Sequence, residues 1–333
     1  MSISGPITDS YGRVHSNLRI SVTDRCNIRC FYCMPHENIR FKARRELLTF
    51  EEIERFVRVV AQMGVNKLRI TGGEPLVRAE LPKLVSALSA IPGIEDLAMT
   101  TNGILLDRYA QPLKEAGLDR VNISLDGLSE ETFRRISRRD GLDRVLTGIE
   151  AAKRQGFKQI RLNAVAIREV NEHEIVPLAR FAREQDLELR FIEFMPLDAE
   201  QNWQDEQVLS GDEIRSRLED VFGPLAPADR PDTSQPAMDF QFADGLGRIG
   251  LINSVSEPFC DFCNRMRITA EGQLRNCLFS TVEWDARAVM RGDGTDDELA
   301  QLTRDCVAAK KTGHGTDTYQ FTRPERAMYQ IGG

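Results

Sequence analysis

Short apolar runs alternate with amphipathic stretches through the first two-thirds of this chain, and that alternation is the pattern of parallel strands joined by crossover helices. Six runs read as strands: Leu18–Val22, Leu68–Thr71, Leu97–Thr100, Val121–Leu125, Ile160–Val165 and Leu189–Phe194. The first helix opens at Thr49-Phe50-Glu51-Glu52, a capping box, and carries Ile53, Phe56, Val57 and Val60 on one face up to Gly64. Further helices fit at Leu81–Ser89, Arg108–Ala116, Ser129–Ile136, Leu142–Gln155 and Glu172–Gln185. Six βα units in a row predict an α/β fold, a partial TIM-like (βα)6 barrel with its functional groups at the carboxyl ends of the strands.

The pattern changes after Phe194. A helix is expected near Ser210–Val221, followed by Gly223–Pro236, which holds four of the chain's 14 prolines and reads as a loop. Met238–Phe242 then alternates like a strand, Asp244-Gly245 offers a hairpin turn, and Arg248–Val255 returns extended. A length of 333 residues passes the roughly 250–300 at which a single core stops growing. The expected division is a barrel over 1–195, with an arm over 1–17, and a smaller α+β domain over 196–333.

Composition narrows the function classes. With 41% hydrophobic and 29% charged residues and a mean hydropathy of −0.35, the chain reads as soluble and globular. No segment approaches the roughly 18 uncharged apolar residues of a spanning helix, and the first residues carry no secretory pattern. The expectation is a cytoplasmic protein without a membrane partner. A net charge of −7 argues against general nucleic-acid binding. Yet from Arg13 to Arg45 eight cations face two anions, enough to hold an anionic small molecule. Seven cysteines, an odd number without an export signal, point to metal or redox chemistry rather than a disulfide framework.

The cysteines fall into two triplets. Cys26, Cys30 and Cys33 form CxxxCxxC just after the first strand, followed by Gly72-Gly73-Glu74-Pro75 at the second strand end. Three thiolates on a short loop can hold three irons of a cubane and leave the fourth open to a cofactor. Zinc completed by His36 is the alternative on spacing alone. The paired glycines permit backbone contact with a ligand, and Glu74 supplies an acceptor beside it. Cys260, Cys263 and Cys277 form the second triplet; here zinc with Cys306 or His314 as fourth ligand competes with iron–sulfur. Beside it, Arg265 and Arg267 of Asn264-Arg265-Met266-Arg267 share one side if that segment is extended. Gly245-Leu246-Gly247-Arg248-Ile249-Gly250 matches a dinucleotide pattern, but it sits in a predicted hairpin with no βαβ unit around it.

The first triplet with Gly-Gly-Glu-Pro resembles the radical S-adenosylmethionine superfamily. The second triplet, its arginines and the terminal Gly332-Gly333 resemble, within it, the GTP 3′,8-cyclase family of molybdenum cofactor biosynthesis, from about Leu18 to the last residue. That resemblance implies two [4Fe–4S] clusters, on Cys26, Cys30 and Cys33 and on Cys260, Cys263 and Cys277, with S-adenosylmethionine beside Tyr32, Gly73, Ser124 and Met195. It implies GTP held by Arg19, Arg69, Thr100, Arg161 and Arg265-Met266-Arg267, and catalytic parts for Arg19, Arg265, Arg267, Gly332 and Gly333. Arg161 departs from the family, which often has Lys there. The implied reaction takes the ribose 3′ hydrogen with a 5′-deoxyadenosyl radical and joins that carbon to C8 of guanine. A reductant protein as electron donor, a following enzyme that takes the cyclised nucleotide, and a homodimer are compatible with it. The alternative within the superfamily is a two-cluster enzyme acting on a different anion.

Overall fold

The computed structural model describes residues 5–34, 36, 39–197, 203–229, 232–315 and 321–332. Strands β1 (Asn17–Ser21), β2 (Lys67–Thr71), β3 (Asp96–Thr101), β4 (Arg120–Ser124), β5 (Gln159–Ala166) and β6 (Glu188–Glu193) lie side by side and all parallel. The crossovers are α1 (Phe50–Gln62), α2 (Leu81–Ser89), α3 (Leu106–Glu115), the pair α4 (Glu130–Ser137) and α5 (Leu142–Arg154), and α6 (Ile175–Glu184). Alternation along each strand builds the core. Leu18 and Ile20, Leu68 and Ile70, Val121 and Ile123, and Leu189 and Phe191 are all sealed from solvent in one cluster with Phe56, Val57 and Val60 of α1. Each such side chain contributes roughly 1.5–3 kcal/mol of burial. The expected capping box starts α1: Thr49 Oγ1 accepts from Glu52 N–H (3.2 Å) and Glu52 Oε2 from Thr49 N–H (2.7 Å).

Beyond β6 the chain completes both edges of this sheet. After α7 (Gly211–Phe222) come β7 (Leu225–Pro227), β8 (Met238–Phe242) and β9 (Arg248–Ile252); β9 joins β6 in parallel, and β8 and β7 add antiparallel outside it. On the opposite edge β10 (Arg265–Ile268) pairs in parallel with β1 and is followed by antiparallel β11 (Gln273–Arg275) and β12 (Trp284–Asp285). Helices α8 (Ala286–Arg291), α9 (Asp296–Ala308) and α10 (Met328–Ile331) close the chain. The result is an α/β partial barrel, open in strand order, with hydrogen bonding continuous from the N-terminal six strands into the C-terminal ones.

Three local expectations change. Leu225–Pro227 is a strand inside the stretch expected to be loop; it lies at the sheet edge, where a proline's missing N–H costs no ladder bond. The run from Arg248 leaves the sheet after Ile252, because the N–H groups of Val255 and Ser256 turn to Glu193 Oε2 (2.7 and 2.8 Å). The segment from Glu172 opens as a 3-10 turn and becomes α-helical only at Ile175, which puts Pro177 in a first turn that needs no N–H from it. Among the described residues no helix is long and apolar enough to cross a membrane.

Candidate active site

The first cysteine triplet occupies the loop that leaves β1. Helix α4 fixes its backbone: Arg29 N–H donates to the Ser137 carbonyl (2.8 Å) and Phe31 N–H to the Ile136 carbonyl (3.1 Å). Cys30, Phe31 and Tyr32 lie on an apolar patch of Ile136, Ile167, Val170 and Phe194. Burial, helped by the charge of Glu74, pushes the Cys26 thiol up to about 11, and burial raises Cys30 and Cys33 further. Such thiols hold their protons at neutral pH and give them up to a metal. Tyr32 donates its phenol proton to Asp126 Oδ2 (2.7 Å), and Val165 N–H donates to Oδ1 (2.8 Å). Burial raises that carboxyl to about 6 against the pull of both bonds.

Gly72 and Gly73 act here through close approach. A Cβ at Gly72 would lie 2.6 Å from the Thr23 carbonyl oxygen, and one at Gly73 would overlap the Arg25 and Asp24 carbonyls. The pair lets the cysteine loop rest directly on the end of β2, so on that side the glycines meet protein backbone. Glu74, expected as an acceptor for a ligand, is 1% exposed, and three hydrogen bonds from the protein reach its oxygens. Oε1 accepts from the Thr101 hydroxyl (2.7 Å) and Leu76 N–H (3.0 Å), and Oε2 from Asn102 N–H (2.7 Å). Asn102 then donates to Asn27 Oδ1 (2.7 Å), with its Nδ2 3.7 Å from Cys26 Sγ. Glu74 is a buttress under the first triplet.

The second triplet sits at the other end of the same strand pair. Asn17 stands opposite Arg265, so Cys260 and Cys263 precede β10 at the entry end of β1, whereas Cys26 to Cys33 follow its exit end. Five residues at roughly 3.3 Å each separate the two loops. A chamber opens at the second triplet, lined by Cys260, Cys263 and Cys277 together with Arg19, Arg265, Arg267, Met195, Ser254 and His314; the first triplet is not part of its lining. Burial opposes ionisation of Cys263, but Arg265 and Lys310 overcome it and bring that thiol down to about 5. Arg265 donates from Nε and Nη2 to Cys263 Sγ (3.4 and 3.3 Å), its guanidinium 4.7 Å over the Phe259 ring.

The arginines do not gather at the barrel mouth as expected; they line its interior from mid-strand. Arg267, Arg19 and Arg69 stand in register across β10, β1 and β2, and Thr100 and Arg161 share a row with Asn122 across β3, β4 and β5. Leu18 and Ile20 on either side of Arg19 face the helices, so Arg19 faces inward. Met266 is likewise turned into the apolar core, away from Arg265 and Arg267, leaving only its backbone toward the interior. Arg190 on β6 escaped the sequence reading. Its Nε donates to Glu188 Oε1 (2.6 Å), which also accepts from Arg161 Nε (2.9 Å). The signal was there: Arg19, Arg69, Arg161 and Arg190 each stand between apolar residues in a strand. Burial and the neighbouring Arg267 and Arg265 charges drive the Arg19 pKa far below its ordinary value, and burial with Arg19, Arg120, Arg190 and Arg161 does the same to Arg69. Among the described residues the buried Nε of Arg19 has no hydrogen-bond partner. An interior with this surplus of positive charge is built for an anion.

Two family models match, Radical SAM superfamily over residues 20–182 and Molybdenum Cofactor Synthesis C over 187–316. A GTP 3′,8-cyclase of Rhodopirellula baltica is 52% identical over 330 residues, 98% of this chain and 92% of that protein. One from Streptomyces coelicolor is 43% identical over 98% of this chain and 96% of its own length. The chain belongs to the GTP 3′,8-cyclase family. The fold agrees: SuiB of Streptococcus suis bound to precursor peptide SuiA superposes with a TM-score of 0.65, at 15% identity, over 89% of this chain and 67% of that one.

For a GTP 3′,8-cyclase family member, the donor sets test the implied cofactors. Both triplets offer three thiols. Of the fourth ligands weighed for zinc at the second triplet, Cys306 is 1% exposed in the core, while His314 lines the chamber with the three cysteines, its ring against Phe279 with centroids 4.9 Å apart. Among the described residues no group of three or more His, Cys, Asp or Glu is disposed to hold a single ion. Three thiols in each set match the three protein corners of an iron–sulfur cubane. The C-terminal tail is described as far as Gly332. Tyr329 packs with Met34 against Cys26 and Cys33, and Gly332 O accepts from Arg267 Nη1 (2.6 Å). At Gly332 φ is +86°, and a Cβ would lie 2.9 Å from both Ser21 Cβ and Thr71 Cγ2, so only glycine fits. Gly333 lies outside the described residues. Ser124 ends β4 opposite Asn163, and Met195 follows β6 into the chamber.

Proposed function

We propose that this chain converts GTP into (8S)-3′,8-cyclo-7,8-dihydroguanosine 5′-triphosphate, the first step of molybdenum cofactor biosynthesis. The observation that carries the reading is the row of inward-facing arginines across β10, β1 and β2, with one cysteine triplet at each end of β1. Cys26, Cys30 and Cys33 would hold one [4Fe–4S] cluster and Cys260, Cys263 and Cys277 the other. Tyr32, Gly73, Ser124 and Met195 border the place for S-adenosylmethionine. When bound, these groups supply an electron and a 5′-deoxyadenosyl group able to take the ribose 3′ hydrogen.

The chain's own residues do the rest. Arg19, Arg69, Arg161, Arg265 and Arg267 neutralise the triphosphate with charge-assisted bonds that are strong because the interior is dry. Arg190 joins them. Thr100 adds a hydroxyl on the same face as Arg161. Arg267 also grips the tail through Gly332, so substrate and tail meet at one guanidinium and water is excluded from the reacting atoms. A reductant protein and a following enzyme that accepts the cyclised nucleotide complete the reading, in a cytoplasmic setting.

Anaerobic protein is incubated with GTP deuterated at the ribose 3′ carbon, S-adenosylmethionine and dithionite. Deuterium in 5′-deoxyadenosine is the expected result; 5′-deoxyadenosine without deuterium, or none at all from protein holding about eight irons, refutes the substrate assignment.

A further inference from the structure

Lys310 is 5% exposed and stands just after α9. Its Nζ donates to Cys263 Sγ (3.3 Å) and to the Arg265 carbonyl (2.8 Å), and among the described residues it meets no carboxylate. A buried ammonium costs several kcal/mol of desolvation and persists only against compensating negative charge. Among the described residues that charge comes from Cys263 and Cys277 of the second triplet. The lysine is also held from both sides. Its N–H donates to the Val307 carbonyl (2.9 Å) at the end of α9, while Arg13 binds the Lys311 carbonyl (2.7 Å), the Thr312 carbonyl (3.0 Å) and the Cys260 carbonyl (2.7 Å) with one guanidinium. The N-terminal arm thus clamps the Lys310 segment to the cysteine loop.

We propose that Lys310 is a positioning residue of the second cluster that raises its reduction potential through the N–H···S bond it donates to Cys263 and the positive charge it holds beside that sulfur. The couple is one electron added to the cluster, with no bond or proton changing place, and each added electron makes the cluster more negative. A fixed cation beside a ligating sulfur favours that reduced state. At the first triplet Arg29 also brings positive charge near Cys26, but its Nη1 donates to the Cys26 and Ile28 carbonyls. Among the described residues the side chain that donates to Cys26 Sγ is the neutral Asn102 (3.7 Å), and the Glu74 and Asp126 carboxyls act on Cys26 and Cys30. The two clusters are therefore unequal, with the second the easier to reduce. The inference rests on the two-cluster reading above.

The test is an EPR-monitored redox titration of the anaerobic full chain as K310M and K310R. It is run also with Cys26, Cys30 and Cys33 changed to Ala, so that the second cluster is read alone. K310M is expected to shift the oxidised-to-reduced ratio tenfold at fixed potential, about 59 mV more negative for a one-electron couple. K310R should stay within threefold of the parent, and the first cluster should not move. Loss of second-site iron from K310M with retention in K310R supports the same role for the charge. A K310M midpoint within twofold of the parent, an equal shift of both clusters, or iron lost from both variants overturns it. Zinc in place of iron at the second site would sink the two-cluster reading itself, which iron analysis separates from the other failures.

Discussion

Glu188 is where the surplus charge of the barrel interior can be measured. Its side chain is 6% exposed, and its Oε1 accepts from both Arg161 and Arg190, themselves 10% and 5% exposed. Replacing it by Gln keeps the volume and removes the anion. Breaking a buried pair from one side costs about 3–5 kcal/mol, because the remaining charge is left uncompensated. Arg190 retains Asp239 at 3.9 Å, so the lower figure applies. At about 2 °C per kcal/mol, the low end for a chain of this size, E188Q should melt about 6 °C below the parent. A bound triphosphate supplies the missing anion. GTP at about 100 times its Kd returns about 2.7 kcal/mol by mass action alone, and the larger relief of repulsion in the variant makes GTP stabilise E188Q more than the parent. Anaerobic differential scanning fluorimetry with and without GTP reads both effects. A variant that melts within 1 °C of the parent, or a GTP shift larger in the parent, would refute the charge-surplus reasoning. Acid gives the same answer independently. Burial raises the Glu188 carboxyl, but the Arg190 and Arg161 charges win and hold it below its ordinary value. Its stabilisation is therefore present above the ordinary carboxylate pKa and lost as pH falls through the depressed one, a loss E188Q will not show.

Two further outcomes follow from the buttress and the clamp. Burial lifts Glu74 to about 7, so the folded chain binds that proton more tightly than the unfolded chain does, and stability falls as pH rises from about 4.5 through 7. At 1.36 kcal/mol per unit the fall is about 3 kcal/mol; E74Q should flatten it in melting curves across that range, and an unchanged slope would contradict the assignment. R13M releases the Cys260, Lys311 and Thr312 carbonyls together. Iron analysis after anaerobic gel filtration should show second-site iron lost faster than first-site iron, and equal retention would show that the arm does not hold the loop.

What could be read from the chain and what could not divides along physical lines. Strand and helix identities came through because period-two and period-3.6 apolar patterns are local: Leu81–Ser89 matched at both ends, and the Thr49 capping box formed as written. The first cysteine triplet was legible because three thiols on a short loop are a local property too, whereas Cys277 returns to Cys260 and Cys263 only through the antiparallel pairing of β10 and β11. The arginines were legible as residues but not in place. An apolar-Arg-apolar triplet says that the arginine faces away from the hydrophobic core, and in an ordinary barrel strand that direction means solvent or packed interior. Only the register of β10 against β1 turns Arg267, Arg19 and Arg69 into one row. That pairing joins residues some 250 positions apart and has no local signature. The partners of Glu74 were illegible for the same reason, since Thr101 and Asn102, which bond its oxygens, arrive from the next strand end. Arg190 belongs to the same class. Beside Glu188 it reads as half of a strand ion pair, whereas across the sheet that one carboxylate is shared with Arg161, which leaves the interior in positive excess. Long-range pairing thus converts ordinary charged residues into a site. The substitution that exposes the conversion is the one that removes the shared anion and leaves every arginine in place.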